Sequence, residues 1–465
     1  MPLGQGSQSS VGFGTETTYG TAATTYNYLP IKSESIQANR ASVVSGTLTN
    51  NAVVDNVALG IKEVSGGFDL EADAVGMGQV LLYFNGDAGY TNTSFSALNY
   101  LTTGLTTGTA AAASGLAVGQ FRYKVAAVLI RTVDSRKYIL TATSESTVTT
   151  SSGNLNVTVS WTNPTAIPSG FTHYGTAIYR SQVGGASASE KFLYLVVGAG
   201  TSYTDNGSIN NGNTAASTTS PVTVGIYKHE FLPVNAPVGE DRLPSFTVHL
   251  NKNNDYAERY VGCRMNEFNL SAGSGNDIIT ASCSLIGKDV VLVAETTPTV
   301  TNYQPILGWT GAAFIDGGTD CLFIESFNLN CSNQAQAVPG SCATPYNRDV
   351  ASGVRQVSGS FARQFEDHDF FTKMINAQEF SIQYSIYGEP VVPTGAYIDL
   401  GSGDYAQPFH NFCQIDLFRC KASKAGGSIP GNERIVETVE FTAYKSSTYN
   451  AEVRFTLYNG VSAYA

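Results

Sequence analysis

The run Gly60-Ile61-Lys62-Glu63-Val64-Ser65-Gly66-Gly67-Phe68 recurs 293 positions later as Gly353-Val354-Arg355-Gln356-Val357-Ser358-Gly359-Ser360-Phe361, ungapped and with conservative changes only. A duplication constrains a fold more than any single motif, because both copies must build the same unit. Other features keep their order around it. Upstream, Glu34-Ser35-Ile36 pairs with Glu325-Ser326-Phe327 after a two-residue slip. Downstream, each block leads into a helix signal, Ala74 to Phe84 in one half and Asp367 to Ala377 in the other. In the second, Phe370, Phe371 and Met374 follow acidic residues suited to a helix N-terminus. A weaker pair of segments begins near Gly262-Cys263-Arg264-Met265 and Phe412-Cys413-Gln414-Ile415. Both cross a Gly-rich turn and re-enter a strand, at Ile278 and at Ile435.

Elsewhere the pattern is short Thr/Val/Ile/Tyr/Phe runs of alternating polarity between Gly/Asn/Ser/Asp clusters, which reads as β throughout. Residues 121–128, 156–161, 380–387 and 453–458 are examples. The first copy is interrupted between about Leu101 and Thr223, where composition shifts to Thr/Ser/Ala/Gly. Low-complexity stretches at 102–114 and 208–220 read as flexible linkers. The segment between them has its own strands at 121–128, 174–180 and 192–197, and one ending in Trp161, whose side chain suits the plug of a sandwich core. The expected fold is all-β with a few short helices: two duplicated barrel or sandwich domains plus an inserted β-sandwich. The expected boundaries are 1–100 with 224–298 for the first domain, including an N-terminal arm at 1–25; 101–223 for the insert; and 299–465 for the second domain.

Composition narrows function. Charged residues are 14% of the 465, well under the roughly 25% usual for soluble domains, as expected of a subunit that buries much surface in an assembly. A net charge of −11 with no basic run argues against tight nucleic-acid binding. The opening Met1-Pro2-Leu3-Gly4-Gln5-Gly6 has no charged region leading into an apolar one, so the chain is expected to stay in a cytoplasm, without a membrane span. Seven cysteines, at 263, 283, 321, 331, 342, 413 and 420, form no CxxC pair and read as free, mostly buried thiols. The histidines, at 173, 229, 249, 368 and 410, are scattered, and no nucleophile elbow or P-loop lysine is present. His368, in Glu366-Asp367-His368-Asp369, is the most ligand-like, yet the same residues make an ordinary helix start. No enzyme, cofactor or metal site is expected. A secreted adhesive or carbohydrate-binding β-protein is the alternative, and it should carry a signal peptide.

Gly12-Phe13-Gly14-Thr15-Glu16-Thr17-Thr18-Tyr19-Gly20-Thr21, Ser33-Glu34-Ser35-Ile36, the Val64-Ser65-Gly66 turn, Pro244-Ser245-Phe246-Thr247 and Tyr260-Val261-Gly262-Cys263-Arg264 occur in an order that resembles the tail tube proteins of long-tailed phages with non-contractile tails. The resemblance covers everything outside the insert, which is itself similar to the fibronectin type III and immunoglobulin-like modules of phage structural proteins, with a permuted strand order. It implies sheets joined edge to edge around a ring, rings stacked through an N-terminal arm and a long loop, and a hollow conduit for DNA ejection. Six barrels per ring would mean three duplicated chains with pseudo-sixfold symmetry. Implied partners are other copies of the chain, tail terminator and tail tip or baseplate proteins, a tape measure protein inside during assembly, and duplex DNA in transit without sequence-specific binding. The implied location is the virion tail, assembled in the bacterial host cytoplasm.

Two segments look suited to contacts between rings. Residues 41–59 and 331–352 are polar, Asn-rich and long for hairpins, and loops of that size are uncommon in compact domains unless they bind something. With the Gly-rich arm at 12–21, read as flexible, they are expected to order only on assembly. The candidates are Gly12, Gly14, Glu16, Tyr19, Val44, Asn50, Asn51, Val54, Gln334, Gln336, Tyr346 and Asn347.

Overall fold

A computed structural model describes residues 9–44, 57–94, 102–108, 115–165, 167–209, 219–222, 224–233, 243–252, 256–295, 298–300, 304–318, 321–340, 344–391, 397–401, 403–429, 431 and 433–464. Its first stretch carries β1 (Ser10–Thr15), β2 (Asn27–Leu29), β3 (Ser33–Glu34), β4 (Gln37–Val44), β5 (Val57–Glu71), α1 (Gly76–Asn85) and β6 (Tyr90–Ser94). The insert supplies β7 (Thr102–Gly108), β8 (Gly119–Arg131), β9 (Lys137–Ile139), β10 (Ser146–Thr150), β11 (Asn156–Trp161), β12 (Phe171–Arg180), β13 (Lys191–Val197) and β14 (Ser202–Asp205). Then come β15 (Tyr227–Phe231), β16 (Phe246–Asn251), β17 (Tyr256–Ala272), β18 (Thr280–Gly287) and β19 (Asp289–Ala294). The second half holds β20 (Ala312–Ile315), β21 (Ile324–Ser332), β22 (Gln336–Val338), β23 (Asp349–Ala351), β24 (Gln356–Gln364), α2 (Asp369–Ile375) and β25 (Glu379–Pro390). It closes with β26 (Ile398–Gly401), β27 (Asp404–Pro408), β28 (His410–Gly426), β29 (Val436–Ala443) and β30 (Val453–Asn459). Among the described residues the chain is all-β with two short α-helices at the expected places.

The halves repeat one topology. In the first, the sheet runs β4-β5-β18-β17-β16-β1; in the second, β21-β24-β29-β28-β25-β20. The register repeats as well. Phe68 lies opposite Glu34 and Phe361 opposite Phe327, so both strands carry the 293-position offset and the two-residue slip expected upstream does not exist. Ile36 therefore corresponds to Leu329, which puts two buried aliphatics in one place. The ladder of β17 with β18 skips Asn266, and that of β28 with β29 skips Ser423. A second irregularity, between Phe246 and Val248, recurs between Phe380 and Ile382. Matching bulges are strong evidence of common design, because a bulge sets local twist and re-aims the strand after it.

One apolar cluster runs through both halves, from Phe13, Phe68 and Phe268 to Phe327, Phe361 and Phe455. Each helix plugs its own half. Tyr83 of α1 stacks on Phe246 with ring centres 4.3 Å apart, and Phe370 of α2 meets Phe361 at 5.1 Å. The first helix is buried along its whole length, while only Phe370 of the second is buried.

The insert forms two facing sheets, β13-β12-β8-β9 with β10 alongside, and β14-β11-β7. Phe121, Val157, Trp161, Ile178 and Leu193 fill the space between them. Much of both expected linkers lies outside the described residues. The insert is nevertheless more than a tethered module, as the linker composition had suggested. β27 extends its larger sheet by pairing in parallel with β9, and Phe171 packs among Tyr387, Phe409 and Phe412 of the second half. Arg131 lies 4.0 Å from the centre of the Tyr387 ring, and Lys137 pairs with Asp404 at 2.6 Å. Linker composition carries no information about which faces dock, so the sequence reading missed this contact.

Candidate functional site

The strands β4-β5-β18-β17-β21-β24-β29-β28 make one continuous eight-stranded path that crosses from the first half to the second at β17 and β21. Period-2 alternation gives it two faces. The core face carries Phe68, Leu70, Phe268, Leu270, Phe327, Leu329, Phe361 and Phe441.

The outer face is polar and organised in rows perpendicular to the strands. One row runs Asp69, Ser282, Asn269, Asn330, Ser358, Thr442. The next runs Glu71, Thr280, Ser271, Asn328, Ser360, Glu440. The middle of both rows is hydroxyl and amide. Asn330 donates to Asn269 at 2.6 Å and Ser271 donates to Asn328 at 2.9 Å, across the junction between the halves. These residues line a shallow open groove. Charge sits at three of the four row ends, Asp69, Glu71 and Glu440. Hydrogen bonds from the hydroxyls of Ser282 and Ser33 hold the Asp69 carboxyl below the usual carboxylate range. Glu440 accepts from Lys424 at 2.8 Å. Such a surface holds water and has few cations with which to bind phosphates.

The path ends in two open edges. β4 pairs with β5 on one side, and among the described residues no strand pairs with its other side. At the end of β28, Ala422 to Gly426 pair with β29, and among the described residues no strand pairs with their other side.

The residues expected at ring contacts divide into five groups. Gly12 and Gly14 lie in β1, paired with both β16 and β2, so this part of the expected flexible arm is an interior strand. Val11 and Phe13 decide this: both are fully in the core, and a Cβ at Gly14 would lie 2.4 Å from the Thr25 carbonyl oxygen. Glu16 is a buried clamp, accepting from Gly20 N–H and Gly262 N–H at 2.8 Å and from the Thr247 hydroxyl at 2.9 Å. Tyr19 and Tyr346 come together at Lys288, whose ammonium lies 5.1 and 5.5 Å from the two ring centres. Asn347 is buried beside them, with neither amide atom hydrogen-bonded. Val44, Gln334 and Gln336 are exposed. Asn50, Asn51 and Val54 lie outside the described residues.

The described parts of the two long segments contain strand. Residues 41–44 and 57–59 continue β4 and β5, and Val43, Val44, Val57 and Leu59 there are exposed. The second segment folds back: Gln336–Val338 pairs with Asp349–Ala351, and buried Val350 offers its carbonyl to Arg264. The Ser and Asn rows escaped the sequence reading, although the signal was there in the alternating Asn269/Ser271, Ser282/Ser284, Asn328/Asn330 and Ser358/Ser360.

Titratable side chains serve the fold. Burial lowers the imidazoles of His173, His229 and His249, and takes His410 down to about 4. The Nδ1–H of His410 donates to the Gly388 carbonyl at 2.6 Å. His368 precedes α2 and packs edge-on to Phe365. Cys263, Cys283, Cys331, Cys413 and Cys420 are buried, Cys321 is half-buried, and all six are free; Cys342 lies outside the described residues. Among the described residues no group of three His, Cys, Asp or Glu side chains could hold a metal ion, and no helix is long and apolar enough to cross a membrane.

Comparison with known proteins matches residues 6–443 to a family model described as phage tail tube protein. No curated protein matches the chain.

Proposed function

The chain belongs to the phage tail tube protein family, and from that premise we propose that it is the major tube subunit, forming stacked rings whose bore carries duplex DNA at ejection. The observation that carries the proposal is the eight-stranded path with an uncharged polar middle and an open edge at each end. Open edges are a hazard for a monomer and a joint for a polymer. A bore lined with serine and asparagine hydroxyls and amides gives a polyanion nothing to grip, because duplex binding draws its affinity from Lys and Arg displacing counterions.

A chain with two copies of the wall unit needs three copies to make six units, so the ring is a trimer with pseudo-sixfold symmetry. Rings stack through the strand ends at 41–44 and 57–59, where exposed Val43, Val44, Val57 and Leu59 make an apolar patch suited to burial. The insert lies outside the wall. The tube meets terminator and tip or baseplate proteins at its ends, and holds a tape measure protein while it is built in the bacterial host. Negative-stain electron microscopy of concentrated protein tests the reading: straight hollow filaments are expected, and a protein that stays dispersed at every concentration refutes it. A reconstruction with six chains per ring refutes the trimer.

A further inference from the structure

We propose that a second copy of the chain adds its β4 to the open end of β28, repeating between chains the junction that β21 makes with β17 inside one chain. This rests on the reading of the chain as a ring-forming subunit, and it supplies the strands and the register.

The internal junction is the template. β21 lies against β17 with Glu267 opposite Ser332, Phe268 opposite Cys331 and Asn269 opposite Asn330. β4 is the counterpart of β21, at the same 293-position offset that relates β5 to β24. β28 is the counterpart of β17: Met265 and Ala422 lie opposite Leu285 and Phe441, and the next residue in each strand, Asn266 or Ser423, is the skipped one. Transferring the internal pairs by these correspondences puts Lys424 opposite Asn39, Ala425 opposite Ala38 and Gly426 opposite Gln37 of the second copy.

Both edges are ready for it. Ser35 N–H donates to the Gly67 carbonyl, so odd-numbered residues of this segment turn their main-chain groups to β5. Those of Ala38 then face the open side. Alanine on both strands lets the backbones approach without side-chain rearrangement. The charges also agree. Lys424 already pairs with Glu440 on β29, and the incoming strand would bring Asn39 beside it, with Glu63 in the next position of the same row. The Lys424 ammonium would sit beside the Glu440 carboxylate on one side, with Glu63 two strands away on the other. The edge is partly capped in the single chain: the Ile36 N–H donates to the carboxylate of its own Glu34 at 2.9 Å. At the corresponding place inside the chain, Leu329 is in the ladder opposite Leu270. A self-capped edge is one way to keep an edge strand from pairing indiscriminately.

The test is oxidation of assembled tubes of Asn39→Cys combined with Lys424→Cys. Both positions are exposed, so the single chain should fold normally. Covalent multimers on non-reducing gels are expected, ending at the trimer when rings close, with no ladder from either single variant. Ser35→Cys with Lys424→Cys is the register control. Its partner would be displaced by four residues, about 13 Å along the strand, beyond the roughly 7 Å that a disulfide can span. Ala38→Pro removes the one N–H that should donate across the junction, and it should abolish filaments while leaving the circular dichroism of the single chain unchanged. Filaments of the Asn39/Lys424 variant that do not crosslink, or normal filaments from Ala38→Pro, overturn the strand assignment and leave the tube reading standing. Failure of the unsubstituted chain to form filaments is the separate result that removes the tube reading itself.

Discussion

Replacing Phe171 with Ala should uncouple the insert from the rest of the chain. The Phe171 ring has four aromatic neighbours, with centres 5.8 Å away for Tyr138, Tyr387 and Phe409 and 5.9 Å for Phe412. Only Tyr138 belongs to the insert. Truncating a buried Phe costs roughly 3–5 kcal/mol, through lost transfer energy and the cavity left behind. Each aromatic pair adds about 0.5–1.5 kcal/mol beyond area. Because three of the four pairs cross the interface, most of that loss falls on docking rather than on the insert's own core. Phe121→Ala is the matched control, since Phe121 is buried in the cluster between the insert's two sheets. Trp161 is 2% exposed within the insert, whereas the second tryptophan, Trp309, is 52% exposed in the other part of the chain. Denaturation followed by the blue-shifted Trp161 emission and by far-UV circular dichroism should give coincident transitions for the unsubstituted chain. In Phe171→Ala the Trp161 transition should move ahead of the other; in Phe121→Ala the insert should weaken with docking intact. Coincident curves in Phe171→Ala, with a loss under about 1 kcal/mol, would show that the ring contacts do not hold the insert in place. The same contacts alter what deletion of residues 108–222 should do: it would bare Phe314, Phe409, Phe412 and Tyr458, so filaments should survive only if those side chains are also made polar.

Glu16→Ala should destabilise the chain by about 3 kcal/mol, because it strands one buried and one half-buried N–H donor that now meet a carboxylate; thermal melts and faster proteolysis near residue 20 would report it. Stability should fall on acidification between about pH 6.5 and 4, because the unfolded chain takes up a proton at His410 that the folded imidazole, at about 4, refuses. His410→Asn, which can still donate to Gly388, should remove up to roughly 3 kcal/mol of that slope; parallel curves for the two proteins across the window would refute the assignment. Val44→Lys with Leu59→Lys should block elongation while rings still form, as read by filament length in micrographs; unchanged filaments would clear these strand ends of a stacking role. Asn330→Arg with Ser358→Arg should leave assembly intact and give tubes that retain duplex DNA in a salt-dependent way, measured by co-sedimentation at two salt concentrations; no retention at either would mean that this face does not line the bore.

The β-class, both helices and the duplication were legible because each depends on local order: alternation, a helix start behind acidic residues, and one ungapped nine-residue repeat. Register was not. The two-residue slip inferred from Glu34 and Glu325 matched letters, whereas the sheet matches faces, and a face is set by which residue opposes Phe68 or Phe361. The strand over Gly12 to Thr15 was missed for a related reason. Its glycines suggested freedom, but Val11 and Phe13 bury in a core assembled from residues more than 200 positions away. The same long-range burial makes Glu16 a clamp within the chain.

The sequence by itself determined that one β block is written twice and that a shift in composition between about residues 101 and 223 separates the two copies. Those properties are written in periodicity and repetition, which survive without knowledge of the fold. Only the tertiary structure decided that the halves join at β17 and β21, that their polar rows align into one surface, and that the insert is docked through Phe171. The physical reason is that each depends on which strand edges and apolar faces meet. An edge is generic in sequence, because every strand carries the same backbone donors and acceptors, and its partner is chosen only when the rest of the core fixes the register.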